Sequence, residues 1–481
     1  MNDWLAEQAR VSPNKTALVW GARAWTYGEL EAEVVGMAAR LGGVKRGEHV
    51  AVLMPNRPEY VFAIHALARL GAVLVPLNTR LTEVELRWQA DHADCSVVLC
   101  SKETEAQAVP LLDQPRRVLL SVDQPARPEV KALQTVEADV PATAFDLQAM
   151  QSIVFTSGTT GYPKGAMLTF ENLFWSATAS AARLGSMPDD RWLLCMPLYH
   201  VGGMSIVFRC CLYGTAVVLM EKFEVEKVNE VLETGGVTLA SFVPTMLRRL
   251  LDVRRGDAPR SLWAVLLGGA AASPDLLAQA FAAGWPLAVT YGLTEACSQV
   301  ATIGVSEAKE KAGSVGKPLM FTEVKIVEGE VVVRGPGVMR GYYRNEDATS
   351  AALREGWLFS GDLGYLDEDG DLWIVDRRGD LIVTGGENVA PTEVERVLLA
   401  FPGVREACVV GVTDAEWCQR VVAVIVGEVD REALLRHCRA HLAGYKIPRE
   451  VRFVEGLPQT ASGKVKRGEV RKGLEEEGRC V

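Results

Sequence analysis

Short apolar, β-branched runs alternate with longer stretches of helical period over about the first 290 residues of the chain. Residues 48–54 read as a strand, 59–70 as a helix and 72–77 as a second strand. Further on, 237–240 precedes a helix at 243–251, and 264–267 precedes one at 274–283. Strand–helix alternation of this kind predicts largely parallel sheets covered by helices. From about Gly313 the texture changes. Residues 323–327 and 330–334 flank a Glu328-Gly329 turn, and 356–366 and 371–375 flank an acidic turn at Gly370; both are antiparallel hairpin signals. A third block, 380–481, has its own strands (407–412 and 421–426) and helices (392–400 and 431–442).

Composition narrows the class. A chain of 481 residues exceeds one ordinary core, so two or more domains are expected. The formal net charge of −10 speaks against a nucleic-acid surface, while leaving room for a locally basic pocket. Acids at Asp3 and Glu7 stand where a signal peptide needs a basic start, and the most apolar long stretch, 276–293, is broken by Gln279, Gly284 and Pro286. No transmembrane segment is therefore predicted. Ten cysteines without a C-x-x-C pair suggest neither a zinc ribbon nor a disulfide framework, and the reading is cytoplasmic.

The strongest local chemistry follows a buried strand at 152–155. Thr156-Ser157-Gly158-Thr159-Thr160-Gly161-Tyr162-Pro163-Lys164-Gly165 combines four hydroxyls, three glycines and a lysine, the makings of a polyanion cradle. Glycines let backbone N–H groups approach phosphate oxygens, hydroxyls add donors, and lysine brings a point charge. The P-loop pattern fails twice here: Pro163 stands where a glycine belongs, and Gly165 replaces the metal-binding hydroxyl residue.

This loop resembles the signature of the adenylate-forming superfamily, which comprises acyl- and aryl-CoA ligases, luciferases and peptide-synthetase adenylation domains. Four further segments are similar to that family's motifs and stand in its order: Tyr291-Gly292-Leu293-Thr294-Glu295; Ser360-Gly361-Asp362; Arg377 with Gly385-Gly386-Glu387-Asn388; and Pro458-Gln459-Thr460-Ala461-Ser462-Gly463-Lys464. The resemblance implies an α/β protein. Its large N-terminal domain (1–376) would combine parallel-sheet α/β subdomains with a small β-barrel-like subdomain, followed by a hinge (377–380) and a small mobile α+β C-terminal domain (381–481).

The resemblance also implies roles. Lys464 is the lysine that bridges carboxylate and α-phosphate, although by composition it is one basic residue among Lys466, Arg467, Arg471 and Lys472. Glu295, joined by Thr160 among the catalytic groups, is the Mg²⁺-linked glutamate, acting on the metal via the phosphates. ATP is handled by Thr156, Ser157, Gly158, Thr159, Thr160, Gly161 and Lys164 of the loop. Gly269, Ala270, Tyr291, Gly292, Thr294, Asp362 and Arg377 complete the nucleotide set, with Tyr291 stacked on adenine, and Asp362 and Arg377 at the ribose. Gly385, Gly386, Glu387 and Lys446 are the CoA set. Gly379 occupies the hinge position where Asp or Lys is usual, and glycine absorbs a large φ/ψ change at little steric cost. Two further departures are Ala270 and its neighbours in the turn near the adenine, and Cys418 where a glycine is common.

Within the superfamily the chain is most similar to the o-succinylbenzoate–CoA ligases of menaquinone biosynthesis. The segments behind this are Asp190-Arg191-Trp192-Leu193, Pro197-Leu198-Tyr199-His200, Val207-Phe208-Arg209 and Ala296-Cys297-Ser298-Gln299. That acid carries two carboxylates, and the one not activated needs donors, because an unpaired buried anion is costly. Arg209 sits in an otherwise apolar helical stretch, 204–212, from which an arginine can also snorkel to solvent. The expected acid site is Arg209 with Ser298 and Gln299, bordered by His200 and Gly268. With no carrier-protein module in the sequence, a free-standing ligase is expected rather than a peptide-synthetase module. Its partners are a carboxylic acid, ATP and CoA, and a homo-oligomer is left open. A medium-chain or aryl acid–CoA ligase would instead want an apolar pocket without a second anion site. A non-catalytic nucleotide-binding paralogue would lack Lys464, Glu295 or the loop, and all are present. His437 and His441, four apart on a predicted helix, lack a third metal ligand nearby and read as a solvated helix face.

Overall fold

A computed structural model describes residues 1–113, 117–134, 140, 142, 144–156, 162–254, 256–377, 381–458 and 465–477, with Asp113, Asp376, Arg377 and Glu477 described through their backbone alone. The chain divides into two compact units. The first comprises Met1–Thr79, Ala90–Val154 and Gly165–Asp376, and the second Arg80–Gln89, Phe155–Lys164 and Arg377–Val481.

The first unit is built on two large sheets. In the seven-stranded one, His49–Leu53 pairs in parallel with both Val73–Pro76 and Val97–Cys100, and Val97–Cys100 with Val118–Ser121. In the nine-stranded one, Leu239–Phe242, Ala264–Leu267 and Leu287–Tyr291 run parallel side by side. These strands are almost wholly buried, as parallel sheets covered on both faces must be. The crossing helices start on local signals. Pro58, Pro244 and Pro274 each open a helix where their missing N–H costs nothing. Thr169 and Asn172 form a reciprocal capping box at Phe170–Leu184. A single core joins both sheets. At its centre the Trp4 ring meets Phe145 edge-on at 5.5 Å and Phe208 at 5.9 Å.

The hairpins predicted after residue 313 form a five-stranded antiparallel sheet of Glu323–Val327, Glu330–Arg334, Trp357–Leu366, Leu372–Arg377 and the short Leu353–Arg354. One strand replaces part of the expected loop. Lys164–Thr169 is extended, so Lys164 and Gly165 open a strand and are not the last residues of a loop.

The second unit has its own sheet, in which Val404–Asp414 and Cys418–Gly427 form a long hairpin and Glu450–Phe453 joins in parallel. Helices Pro391–Leu399 and Arg431–His441 contribute Val394, Leu398, Leu434 and Cys438 to the core on that sheet. The mixed α/β architecture is the one the sequence pattern predicts.

Candidate active site

Several candidates from distant parts of the first unit converge. Tyr291 ends the strand Leu287–Tyr291, and its hydroxyl donates to Asp362 Oδ2 at 2.6 Å across 71 residues of sequence. Asp362 reaches that position because the Trp357–Leu366 strand is irregular there. Its register against Glu330–Arg334 shifts between Glu330 and Val332, a bulge of the kind that re-aims side chains. Ser360 Oγ donates to the Val331 carbonyl and accepts from the Asp362 N–H, while Gly361 N–H donates to Glu330 Oε1.

Downstream of Tyr291 the chain turns sharply. Gly292 allows the turn, since a Cβ there would lie 1.5 Å from the Ser298 carbonyl oxygen. Thr294–Ala296 is a single 3₁₀ turn carrying Glu295, whose Oε1 accepts from the Tyr342 hydroxyl at 2.8 Å. Tyr342, a partner that no sequence motif indicated, thus orients the carboxylate proposed to face magnesium. A half-buried carboxylate held in this way suits a hard cation shared with phosphates. Gly268, Gly269 and Ala270 follow strand Ala264–Leu267, and the Gly268 N–H donates to the Phe242 carbonyl at 3.1 Å.

Arg209 is the most unusual group in this unit. It lies in helix Val201–Tyr213, only 1% exposed, so it does not snorkel. It meets the Ser298 hydroxyl, 3.3 Å from Nη2, and the Trp192 ring, 5.7 Å from Cζ; Nε is buried without a hydrogen-bond partner. Among the described residues no carboxylate forms an ion pair with it. Burial accordingly pulls its pKa below the ordinary arginine value. Cys297 and Ser298, at φ 52° and 92°, are both in the left-handed region, a strained pair of the kind that clusters at ligand sites. Gln299 is buried beside them. Its Nε2 donates to Thr302 Oγ1 at 2.9 Å, while its Oε1 is buried without a partner. His200 stands half-buried at the N-cap of the Arg209 helix.

In the second unit, Gly385 and Gly386 (φ 58° and 84°) make the turn between strands Ile382–Thr384 and Glu387–Val389, which requires positive φ at both central positions. Glu387 accepts from Arg80 Nη1 at 2.9 Å. Lys446 is buried and donates to Glu85 at 2.6 Å and Glu393 at 2.8 Å. Burial opposes its charge, but Tyr445 and the two carboxylates outweigh it and hold the ammonium pKa above the usual lysine value. Thr156 Oγ1 lies 3.4 Å from the Lys164 carbonyl oxygen. Ser157, Gly158, Thr159, Thr160, Gly161, Gly379, Lys464 and the Arg377 side chain lie outside the described residues.

The two histidines do not present a metal pair. His437 Nε2 meets the Val397 carbonyl at 3.1 Å and His441 Nδ1 the His437 carbonyl at 2.8 Å, and both are half-buried, unlike a solvated face. One acidic cluster of metal-ligand spacing occurs among the described residues: Asp367, Asp369 and Asp371. The Lys311 ammonium fills it, bonding Asp371 and lying 2.6 Å from Asp369. An open cleft of about 790 Å³ between Trp25, Arg57 and Asp123 contains none of the candidate residues.

A largely parallel α/β unit that joins Tyr291 to Asp362 and buries Arg209, followed by a small α+β unit, fits an AMP-binding fold. The chain belongs to the AMP-binding enzyme family, whose pattern matches residues 5–343, with the AMP-binding enzyme C-terminal domain matching residues 393–464. It is 42% identical, over 99% of both chains, to the 2-succinylbenzoate–CoA ligase of Bacillus mycoides. Among solved structures it is similar to a double mutant of o-succinylbenzoate CoA synthetase from Bacillus subtilis bound with the product analogue OSB-NCoA (TM-score 0.91, 36% identity, 98% of each chain). The same Bacillus subtilis enzyme in complex with ATP and magnesium ion gives a TM-score of 0.74 at 36% identity over 98% of this chain and 99% of that one. No helix among the described residues is long and apolar enough to cross a membrane.

Proposed function

We propose that the chain is an AMP-forming acid–CoA ligase whose acid is o-succinylbenzoate. In the first half-reaction a succinyl carboxylate oxygen attacks the α-phosphorus of ATP, the bond to the β-phosphate oxygen breaks, and pyrophosphate leaves. In the second, the CoA thiol attacks the acyl carbon, its proton is lost and AMP departs, giving the thioester. The first step brings two anions together, so cationic stabilisation dominates it. Lys464 of the C-terminal motif is assigned that task, with Thr160 and the rest of the 156–164 loop around the phosphates. Tyr291 is assigned to adenine, Asp362 and Arg377 to ribose, and the 385–387 turn to the CoA channel. Glu295 would hold magnesium together with the phosphates, and the ion would supply charge neutralisation when bound. The boundaries proposed are 1–376 for the ATP- and acid-binding domain, 377–380 for the hinge with Gly379, and 381–481 for the mobile domain.

The observation that carries the acid is Arg209, a buried guanidinium without a carboxylate partner among the described residues. Such a charge is costly until an anion completes it. The aromatic carboxylate of o-succinylbenzoate does so with Ser298 and Gln299 beside it, whereas a fatty or simple aryl acid leaves the charge unmatched. The test is pyrophosphate release over a panel of acids, with and without CoA. Release and thioester formation should be greatest with o-succinylbenzoate. Pyrophosphate release without any thioester would remove the ligase assignment and keep adenylation, while a preference for monocarboxylic acids would remove the assigned acid.

A further inference from the structure

Two helices of the second unit converge through residues three apart. Helix Glu83–His92 places Glu85 and Trp88 on one face, and helix Pro391–Leu399 does the same with Glu393 and Arg396. A further residue bridges each pair. Lys446 Nζ lies 2.6 Å from Glu85 and 2.8 Å from Glu393. Tyr162 lies between the Trp88 ring, stacked at 5.1 Å and 22°, and the Arg396 guanidinium, whose Cζ is 4.3 Å from the Tyr162 centroid. The result is a clamp of two layers. One is ionic and closed, with Lys446 4% exposed; the other is aromatic and open, with Tyr162 45% exposed.

The clamp draws on chain whose neighbours belong elsewhere. Residues 80–89 and 155–164 both continue at each end into the first unit, yet they pack with 377–481. Tyr162 follows Gly161 directly and stands two residues before Lys164, so its position bears on the phosphate-binding stretch. In the first half-reaction that stretch has to wrap a triphosphate. A side chain gripped on both faces at its edge favours the arrangement that follows pyrophosphate release. Resting on the ligase reading above, in which residues 381–481 turn between two half-reactions, we propose that this clamp selects the thioester-forming arrangement. Trp88, Tyr162 and Arg396 act in it as positioning residues and touch neither reacting group.

The test uses Arg396→Ala and Trp88→Leu in the full chain, each half-reaction being read separately. ATP–pyrophosphate exchange with o-succinylbenzoate reports the first, and single-turnover thioester formation from preformed acyl-adenylate and CoA the second. Stacking and cation–π contacts of this kind shift a two-state balance about three- to tenfold. The second half-reaction should fall by that factor while exchange stays level or rises, and Arg396→Lys should recover most of the loss. A parallel fall in both half-reactions, or no change in either, overturns the clamp. Absence of both half-reactions in the unaltered protein overturns the ligase reading instead.

Discussion

Arg209 is a buried charge that no carboxylate among the described residues pairs. Its side chain is fully buried, its Nε lacks an acceptor, and its pKa is drawn down by burial. Arg209→Met keeps the length and removes the charge. The empty protein should then gain roughly 1–3 kcal/mol of stability, as when a poorly compensated buried charge is replaced by an apolar side chain. The same change should raise the KM for o-succinylbenzoate by about 30-fold or more, the cost of leaving the substrate's second carboxylate unpaired. A thermal melt and an acid titration read the two effects. A loss of stability together with an unchanged KM would make Arg209 an ordinary core residue. Cys418 presents a smaller conflict. It adopts φ 71° half-buried at the head of strand Cys418–Gly427, a conformation that favours glycine. Cys418→Gly should stabilise the protein by about 0.5–1 kcal/mol, after the entropy of the added glycine is subtracted. An unchanged urea midpoint would count against that strain.

Helix Pro58–Leu70 shows what an element does that single residues do not. It is buried on nearly every side, from Pro58 through Arg69 with only Glu59 partly open. Its sequence carries two groups that dislike burial, His65 and Arg69, four apart on one face. Arg69 is compensated by Asp3 and Glu31, each at 2.8 Å. His65 is not, and burial lowers its pKa from 6.5 to about 4, although Asp3 pulls the other way and Arg69 reinforces the drop. A depressed histidine is neutral in the fold. Between about pH 6.5 and 4 the unfolded chain binds a proton that the folded one excludes, so stability falls as pH falls through that window. The loss should reach about 2 kcal/mol by pH 5, and His65→Gln should flatten it. Urea midpoints at pH 7 and 5 give the measurement, and equal slopes for both proteins would show that another group is responsible. Elements with one strong period were plain in the sequence: Ala264–Leu267, Glu323–Val327 and Glu330–Arg334 begin and end where the pattern does. Lys164–Thr169 was not, because its lysine and glycine read as loop chemistry while its pairing in the sheet overrides propensity.

Whole-molecule organisation was the least legible level. Motif order along the chain indicated that Tyr291, Asp362 and Glu295 belong to one site, but not that Tyr291 bonds Asp362 or that Tyr342 holds Glu295. Those contacts depend on a bulge and a turn whose geometry is set by distant strands. Nor could sequence adjacency show residues 80–89 and 155–164 packing with the C-terminal part, since both are embedded in stretches of the other unit. Cysteine placement, by contrast, follows simply from hydrophobic burial. All nine described cysteines are free, and only Cys418 is not buried. Desolvation pushes the thiols of Cys95, Cys100, Cys195, Cys210 and Cys297 up to about 12, so at pH 8 almost none is present as the reactive thiolate. The folded protein should therefore show at most two fast thiols toward a disulfide reagent, Cys418 and Cys480, the latter outside the described residues. All ten should react in denaturant, and reducing agent should leave the melting temperature unchanged. A higher count in the folded state would mean that the sheets open on the timescale of the assay. Because Cys195 and Cys210 stand in the chain near the proposed acid site, one five residues before His200 and one next to Arg209, saturating o-succinylbenzoate with ATP should suppress that extra reactivity first at those two.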